Sequence, residues 1–396
     1  MTLEIRPARP EEMEEFYRVA LTALVMKPGS IRGIQPEWTL CGFEDGKLAT
    51  TFSYWPLTMR YNGEGVPVSG VTSVGTLPIY RRHGHLRQIM TRHFELLHEE
   101  GERTIAILLA SLTTIYQRYG YAVVSSRNTY TVEPRYLQFT LPQKTNGYLR
   151  EAREDEFALL VELYRKFREN RTGYLHRGKA MWDAGVLAPV SPGGRLNRVV
   201  YEENGQPLGY VVYMTYPQPG APAGNHLVIR DLIWLTTSAY RAIWQHFANM
   251  DIMADIVWQR VPVDDPLPHL LLEPRMLRAI SADGLMARIV DVSKALTRRR
   301  YQDEGILTFE VIDDLCAWNR GRWKLETSAE GSSIAHTRQS TQLTLPVSTL
   351  VMLTFGQISA TEAFRMGRLD TNQADALRVW DRVMRTLYRP ACADMF

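Results

Sequence analysis

The segment PIYRRHGHLRQIM, residues 78–90, joins a run of strands to an amphipathic helix and constrains the fold more than any other stretch. Before it, the turns in FEDGKLA and YNGEGV carry the Asp-Gly and Asn-Gly pairs typical of β-hairpins. After it, apolar residues recur every three or four positions from Leu86 to Leu97, and Gly101 is suited to end the helix. The next apolar run, TIAILLAS, predicts a buried strand. This order of strands, turn, helix and strand predicts a mixed α/β (α+β) fold.

The length of 396 residues predicts more than one domain, and the pattern divides into three units. Residues 1–145 form the unit just described. Residues 146–280 repeat the order helix, strands and helix, but neither a glycine nor an arginine cluster precedes the second helix, SAYRAIWQHFANM. We therefore expect a structural unit without a phosphate loop. Residues 281–396 predict further strands, around GILTFEVIDD and GRWKLETS, and then helices.

Composition and charge exclude several classes of function. The most apolar run is far shorter than the roughly 20 residues of a membrane-spanning helix, and the acidic N-terminus has no apolar signal segment. A net charge of +3 gives no argument for nucleic acid, and we expect Arg298–Arg300 to end a solvated helix. Three widely spaced cysteines favour a reducing, cytoplasmic setting. The nine histidines show no metal-ligand spacing, so no metal is predicted.

The pattern Arg81-x-x-Gly84-x-Leu86 lies between a predicted strand and a predicted helix, a context that suits phosphate binding. A helix N-terminus exposes unpaired N–H groups and the positive end of the helix dipole. Glycine lets the backbone approach a ligand closely, and Arg82 and Arg87 add positive charge. A solvated basic loop is the alternative interpretation of the same residues.

Two longer motifs make a family resemblance specific. VGTLPIYRRHGHLRQIM and ASLTTIYQRYGY resemble the two core motifs of the Eis (enhanced intracellular survival) family of GNAT N-acetyltransferases. DDPLPHLLLEPRML, DGLMARIVDVSKAL and AWNRGRWKLE resemble the C-terminal region of that family. The resemblance covers nearly the whole chain. It implies a catalytic GNAT domain, a second GNAT-like domain, and a C-terminal domain similar to sterol carrier proteins. It also implies acetyl-CoA as cosubstrate, a primary amine of a small molecule or of a lysine-like substrate as acceptor in a direct ternary-complex mechanism, and a homo-oligomer, specifically a hexamer.

The resemblance also implies where acetyl-CoA lies. The pantetheine arm would pair with the strand backbone at Val74, Gly75 and Thr76, and the thioester would lie near Ser111 and Leu112. The pyrophosphate would lie on the turn and the first residues of the helix, namely Arg81, Arg82, His83, Gly84, His85, Leu86 and Arg87.

Tyr116 takes the position of the general acid of the family, because a phenol can donate a proton to a departing thiolate. The alternative is a core tyrosine, since Tyr119 and Tyr121 lie beside it in sequence. The general base implied by the resemblance is the terminal α-carboxylate of the chain, which Phe396 would anchor in a cavity. A frayed terminus is the alternative.

Two departures from the family bear on the acceptor. Leu112 stands where the family has a glutamate, and Met395 stands where it often has an acidic residue. The loss of both carboxylates argues against polycationic amines such as aminoglycosides, unless acidic residues from elsewhere in the chain compensate. The competing function is a non-catalytic protein that binds acyl-CoA or an apolar ligand on the same scaffold.

Overall fold

The computed structural model describes residues 2–141, 146–188, 193–217, 224–328 and 330–396, which fall into two compact units. The first unit combines the residues up to Val124 with Leu285–Thr386 and Phe396, and the second combines Ser125–Gly284 with Leu387–Met395. The chain thus leaves the first unit near residue 124 and returns near residue 285. The domain boundaries at 145 and 280 stay a prediction.

The N-terminal segment of the first unit alternates strands and helices as predicted. Asp-Gly and Asn-Gly turns join its hairpins with positive φ at Asp45, Gly46, Asn62 and Gly63, and α2 ends at Gly101, whose φ is +71°. The elements are β1 (Leu3–Arg6), α1 (Met13–Leu24), β2 (Cys41–Glu44), β3 (Lys47–Tyr61), β4 (Glu64–Thr76), α2 (His85–Glu100), β5 (Ile105–Leu108), α3 (Thr113–Gln117) and β6 (Ala122–Val123).

The second unit contains a similar succession of elements. They are β7 (Ser126–Val132), β8 (Tyr148–Glu151), α4 (Phe157–Arg168), α5 (Lys179–Ala184), β9 (Arg195–Glu203), β10 (Gln206–Tyr216), β11 (Asn225–Trp234), α6 (Thr237–Ala248), β12 (Met253–Pro262), α7 (Leu267–Leu270) and β13 (Ile280–Asp283). Its seven-stranded sheet has the order β13-β7-β12-β11-β10-β9-β8. Strand β7, which lies before residue 145, thus belongs to the second sheet.

The C-terminal segment returns to the first unit. Its elements are β14 (Met286–Ile289), α8 (Val292–Thr297), β15 (Gly305–Ile312), β16 (Gly321–Ser328), β17 (Gly331–His336), β18 (Leu343–Pro346), α9 (Val347–Phe355), α10 (Ala360–Arg365) and α11 (Ala374–Val383). Strand β14 completes the first sheet, whose order is β1-β2-β3-β4-β5-β14-β6, and the next four strands form a separate sheet with the order β17-β16-β15-β18.

The predicted solvation of Arg298–Arg300 is wrong for Arg299. Its side chain is buried and donates hydrogen bonds to the carbonyls of Thr354 and Met384, at 2.8 and 2.6 Å. These carbonyls lie at the C-terminal ends of α9 and α11, where the helix dipole is negative. The arginine therefore stabilises two helix ends, which no local sequence pattern indicates.

Helices α1 and α2 pack on opposite faces of the first sheet at β4. Helix α1 has glutamates in its first turn, next to the positive end of its dipole, and buries Phe16, Val19 and Ala23 against the sheet. Helix α2 buries Ile89 and Phe94 among other residues on the opposite face.

In the described residues, no helix has both the length and the apolar character needed to cross a bilayer.

Candidate active site

Strands β4 and β5 are parallel neighbours that pair at only two positions, Ser69 with Ala106 and Gly70 with Ile107. Beyond these pairs, β4 continues to Thr76 without a partner on its β5 side in the described part of the chain. The strands therefore splay. The backbone of β4 presents unpaired N–H and C=O groups along the opening, and such groups need a hydrogen-bonding partner.

The open end of β4 carries Val74, Gly75 and Thr76, the three residues predicted to hold the pantetheine arm. A β-bulge lies directly before them, with φ of +52° at Ser73. A Cβ atom on Gly75 would lie only 2.8 Å from the Cβ of Ala23 at the end of α1. Glycine is therefore required here, because α1 packs directly on the strand.

The turn between β4 and α2 holds its arginines in two different ways. The guanidinium of Arg81 donates to the carbonyl of Thr76 at 3.1 Å and to a carbonyl near the end of α1 at 3.3 Å, so this side chain fixes the turn. Arg82 and Arg87 are exposed and form no ion pair with any described residue. These two side chains are the ones available to a ligand.

The N-terminus of α2 is left with free donors. The carbonyl of Gly84 accepts from the N–H groups of Arg87 and Gln88. Among the described residues, the N–H groups of Gly84, His85 and Leu86 have no acceptor, and no side chain caps the helix. Gly84 has a φ of +85°, a conformation that favours glycine. Free donors next to exposed arginines are suited to bind an anion.

Sequence reasoning missed the acidic partner of this turn. One carboxylate oxygen of Glu44, at the end of β2, lies 3.0 Å from Nδ1 of His83 and 2.8 Å from Nε2 of His85. These contacts, led by the hydrogen bond to His83, hold the pKa of Glu44 below its usual range. A chain of contacts continues from Nδ1 of His85 to Thr50 and from Thr50 to Thr76, each 3.0 Å long. The histidines are thus tied to the open end of β4.

Tyr116 lies in α3, the helix that follows β5 after a four-residue connection. Its ring packs edge-on against Tyr121 at a centroid distance of 6.0 Å, and burial raises its pKa to about 12. Among the described residues its hydroxyl has no hydrogen-bond partner. Tyr119 is buried, whereas Ser111 and Leu112, between β5 and α3, are exposed.

Phe396 lies against β4 within the first unit. A Cβ atom added to Gly70 would lie 3.1 Å from the Phe396 ring and 2.6 Å from Leu57. The hydroxyl of Thr72 donates to the carbonyl oxygen of Phe396 in a long contact of 3.5 Å. Gly70 and Thr72 share one face of the strand, while Val71 packs on the opposite face beneath α2.

These positions bring most of the predicted site residues around one opening. Val74, Leu86 and Tyr116 pack on the same core beneath α2. Phe396 lies on the other face of β4. Since β5 does not close the sheet here, a group held between the strands can be reached from both faces.

The corresponding strands of the second sheet also splay. Strands β11 and β12 pair in parallel up to Ile229 and Trp258 and then separate. A cavity of about 60 Å³ lies at this opening, with Asp231, Arg260 and Ala393 among the residues that line it.

An ion pair and a helix cap occupy polar groups around the second opening, although the buried Nε of Arg260 has no hydrogen-bond partner among the described residues. The buried guanidinium of Arg177 bridges Asp231 and Asp394, at 2.6 and 2.7 Å. The hydroxyl of Thr236 caps α6 by accepting from the N–H of Ala239 at 3.2 Å. The capped N-terminus of α6 therefore differs from the uncapped N-terminus of α2.

Comparisons with protein families define the class. A family model described as an acetyltransferase (GNAT) domain matches residues 4–124, and another of the same description matches residues 173–289. A model described as a sterol carrier protein domain matches residues 292–393. The protein is therefore a GNAT-type N-acetyltransferase with two GNAT domains and a sterol-carrier-like C-terminal domain, which confirms the predicted architecture.

Individual relatives narrow this class. An uncharacterized N-acetyltransferase of Streptomyces avermitilis is 30% identical over 397 residues, which cover 95% of each chain. The N-acetyltransferase Eis of Mycobacterium tuberculosis is 28% identical over 83% of this chain and 81% of that protein. The crystal structure of Eis1 from Mycobacterium abscessus matches all of both chains with a TM-score of 0.84 and 27% identity. The chain belongs to the Eis family of GNAT N-acetyltransferases.

Proposed function

We propose that the protein transfers an acetyl group from acetyl-CoA directly to a primary amine, with both substrates bound at the opening between β4 and β5. The observation that carries the proposal is the combination of an unpaired β4 edge with an uncapped α2 terminus and two free arginines, Arg82 and Arg87. The backbone at Val74–Thr76 would pair with the amides of the pantetheine arm. The N–H groups of Gly84–Leu86 would bind the pyrophosphate.

Acetyl-CoA supplies the thioester. The protein would then transfer two protons, one to the leaving thiolate and one from the amine. The amine nitrogen forms a bond to the acetyl carbon, the carbon–sulfur bond breaks, and the thiolate leaves. Tyr116 would donate its hydroxyl proton to that thiolate, since burial keeps the phenol protonated at neutral pH. In a chain that ends at Phe396, the α-carboxylate would accept the proton that the amine releases. Its position on the β4 face supports this role.

Replacing Tyr116 with phenylalanine tests this function. We expect kcat to fall by about 10²–10⁴-fold in an assay of acetyl-CoA consumption across a panel of amines. CoA affinity should be unchanged. Tyr174→Phe, a buried tyrosine beside the second opening, is the matched control and should keep full turnover. Unchanged turnover in Tyr116→Phe would remove Tyr116 from the mechanism, and CoA binding without turnover by the native protein would favour a binding protein.

The pKa of Tyr116 sets the alkaline side of the pH profile. A general acid is active only when protonated, so activity falls as pH rises through its pKa. Because that pKa is about 12, we expect no loss of kcat from this group below roughly pH 11. Initial rates between pH 7 and pH 11 check this. A decline beginning near pH 9 would indicate an exposed phenol with the ordinary pKa of about 10.

The surroundings of Phe396 favour an acceptor amine with an apolar body. Trp55 pairs directly with Gly70, so its side chain shares the Phe396 face of the sheet. Trp38 lies against Trp55 with a ring separation of 5.5 Å. Leu112, between β5 and α3, is also apolar and 62% exposed. We expect arylalkylamines to have higher kcat/KM than polycationic amines, and the reverse order would overturn this acceptor class.

We also propose a cytoplasmic homo-oligomer, specifically a hexamer. The described thiols of Cys41, Cys316 and Cys392 are free and buried, which suits a reducing compartment. Exposed apolar side chains such as Phe364 and Met366 support a subunit interface. Light scattering at micromolar concentration tests the assembly, and a monomer of 45.4 kDa would refute it.

A further inference from the structure

The cluster of Glu44, His83 and His85 resembles a metal centre more than an ordinary hydrogen-bonded turn. The three side chains each offer one ligand atom, and these atoms all lie within 4.8 Å of one another. Glu44 and His85 are buried, whereas the side chain of His83 is 37% exposed. The arrangement is therefore fixed on one side and open to entry from solvent on the other.

The backbone explains why two histidines converge on one carboxylate. In an extended segment, the side chains of residues i and i+2 lie on the same face. His83 and His85 have this spacing, and the chain turns into a helix between them. The left-handed conformation of Gly84, with φ of +85°, makes that turn. Nothing lies within 4 Å of a Cβ placed on Gly84, so its backbone angle, and not crowding, requires glycine.

We propose that Glu44, His83 and His85 bind a divalent transition-metal ion, with Zn²⁺ as the ion that the donors fit best. Imidazole nitrogens with one carboxylate favour zinc over magnesium or calcium, which prefer oxygen ligands alone. This inference goes beyond the acetyltransferase function and does not depend on it.

Two of the three ligand-atom distances suit a tetrahedral ion after a small expansion, and the two nitrogens lie within 4.8 Å of each other. Ligand atoms about 2.0–2.1 Å from zinc are about 3.3 Å apart in a tetrahedron. The nitrogen–oxygen separations of 3.0 and 2.8 Å are a few tenths of an ångström shorter. Small rotations of the exposed His83 ring and of the Glu44 carboxylate would open them. Water would complete the coordination from the solvent side.

The groups behind the ligands support the assignment. The second ring nitrogen of His85 lies 3.0 Å from the hydroxyl of Thr50, which in turn contacts Thr76. A metal-bound histidine commonly donates its other N–H to such a partner, which fixes the ring and its tautomer. Thr50 therefore holds His85 with Nε2 directed at the carboxylate.

The test is calorimetric titration of the full chain with ZnCl₂ in the absence of CoA. Because no CoA is present, the result does not depend on whether the acetyltransferase proposal is correct. We expect one equivalent to bind, and affinity to fall by more than about 100-fold in His83→Ala and in Glu44→Gln. His226→Ala is the matched control, since His226 is 45% exposed and contacts the carboxylate of Asp255 at 2.7 Å. Its zinc affinity should equal that of the native chain.

Cobalt provides a second readout that a merely structural cluster would not give. Co²⁺ bound to nitrogen and oxygen ligands in tetrahedral geometry has visible absorption bands, and these should appear with the native chain and be absent with His83→Ala. His83 is exposed, so this variant is expected to fold. Absence of stoichiometric zinc binding, or zinc binding that survives both His83→Ala and Glu44→Gln, would overturn the site.

Discussion

The openings between β4 and β5 and between β11 and β12 arise from the same strand geometry but differ in which polar groups remain free. In the first, helix α2 begins without a cap, and Arg82 and Arg87 have no ionic partner among the described residues. In the second, Thr236 caps α6, and Arg177 is held by two carboxylates. We infer that a splayed strand pair is not sufficient for a ligand site and that free hydrogen-bond donors around the opening are also needed.

The largest expected effect concerns the base at the first opening. In a chain that ends at Phe396, deletion of Phe396, or extension by a few residues, should lower kcat by about 10²–10⁴-fold with CoA affinity retained. Both changes move or neutralise the carboxylate that lies near Thr72. Met395→Ala keeps that carboxylate and should have nearly native turnover. Full activity of the extended protein would eliminate the terminal carboxylate as the base.

Arg177→Met should destabilise the protein around the opening between β11 and β12 without changing the opening between β4 and β5. The change leaves Asp231 and Asp394 buried without their cation, and the loss of one partner of a buried ion pair costs about 3–5 kcal/mol. Urea denaturation should report this loss, while CoA affinity of the folded protein stays native. Arg165→Met removes an exposed pair with Glu162 and should cost less than about 1 kcal/mol. Equal stability of the two variants would contradict the proposed role of the buried pair.

Arg82→Ala and Arg87→Ala should each weaken CoA binding by about 1.5–3 kcal/mol, because a charge-assisted contact to phosphate is lost. Calorimetry with CoA measures this. Arg92→Ala, on the same helix but already paired with Glu95 at 3.1 Å, should bind CoA as the native protein does. If all three variants bind CoA equally, the basic turn is only a solvated loop.

The smallest effect is expected at the cap of α6. Thr236→Ala removes the hydroxyl that accepts from Ala239 and should lower the free energy of unfolding by about 0.5–2 kcal/mol. It should not create CoA binding, since no free arginine pair accompanies this helix start. A gain of CoA affinity would show that helix capping alone separates the two openings.

The sequence predicted the elements that depend on neighbouring residues. Asp45-Gly46 and Asn62-Gly63 form the expected turns, and α2 ends at Gly101. The resemblance placed the candidate residues of α2 and α3 at one opening. The turns and the helix end depend on short-range spacing, which periodicity and turn chemistry reveal directly, whereas the placement of the site residues depends on the resemblance.

Contacts between distant residues could not be predicted in the same way. Glu44 meets His83 and His85 across about 40 residues, so the histidines alone gave no metal-ligand spacing. Arg299 is buried by two helix ends that follow it by tens of residues. Ala393, from the far end of the sequence, lines the cavity at the second opening. Local patterns carry no information on such partners.

The position of β14 constrains how the chain can fold during synthesis. This strand pairs with both β5 and β6, so the first sheet is incomplete until Met286–Ile289 have left the ribosome. About 160 residues separate β6 from β14, and translation at roughly 5–20 residues per second adds them in roughly 10–30 seconds. During that interval the nascent β5, four buried residues of the sequence IAIL, has an exposed edge. The first sheet can therefore close only after all the strands of the second sheet have been made, and a fragment that ends at residue 145 should aggregate where the whole chain folds.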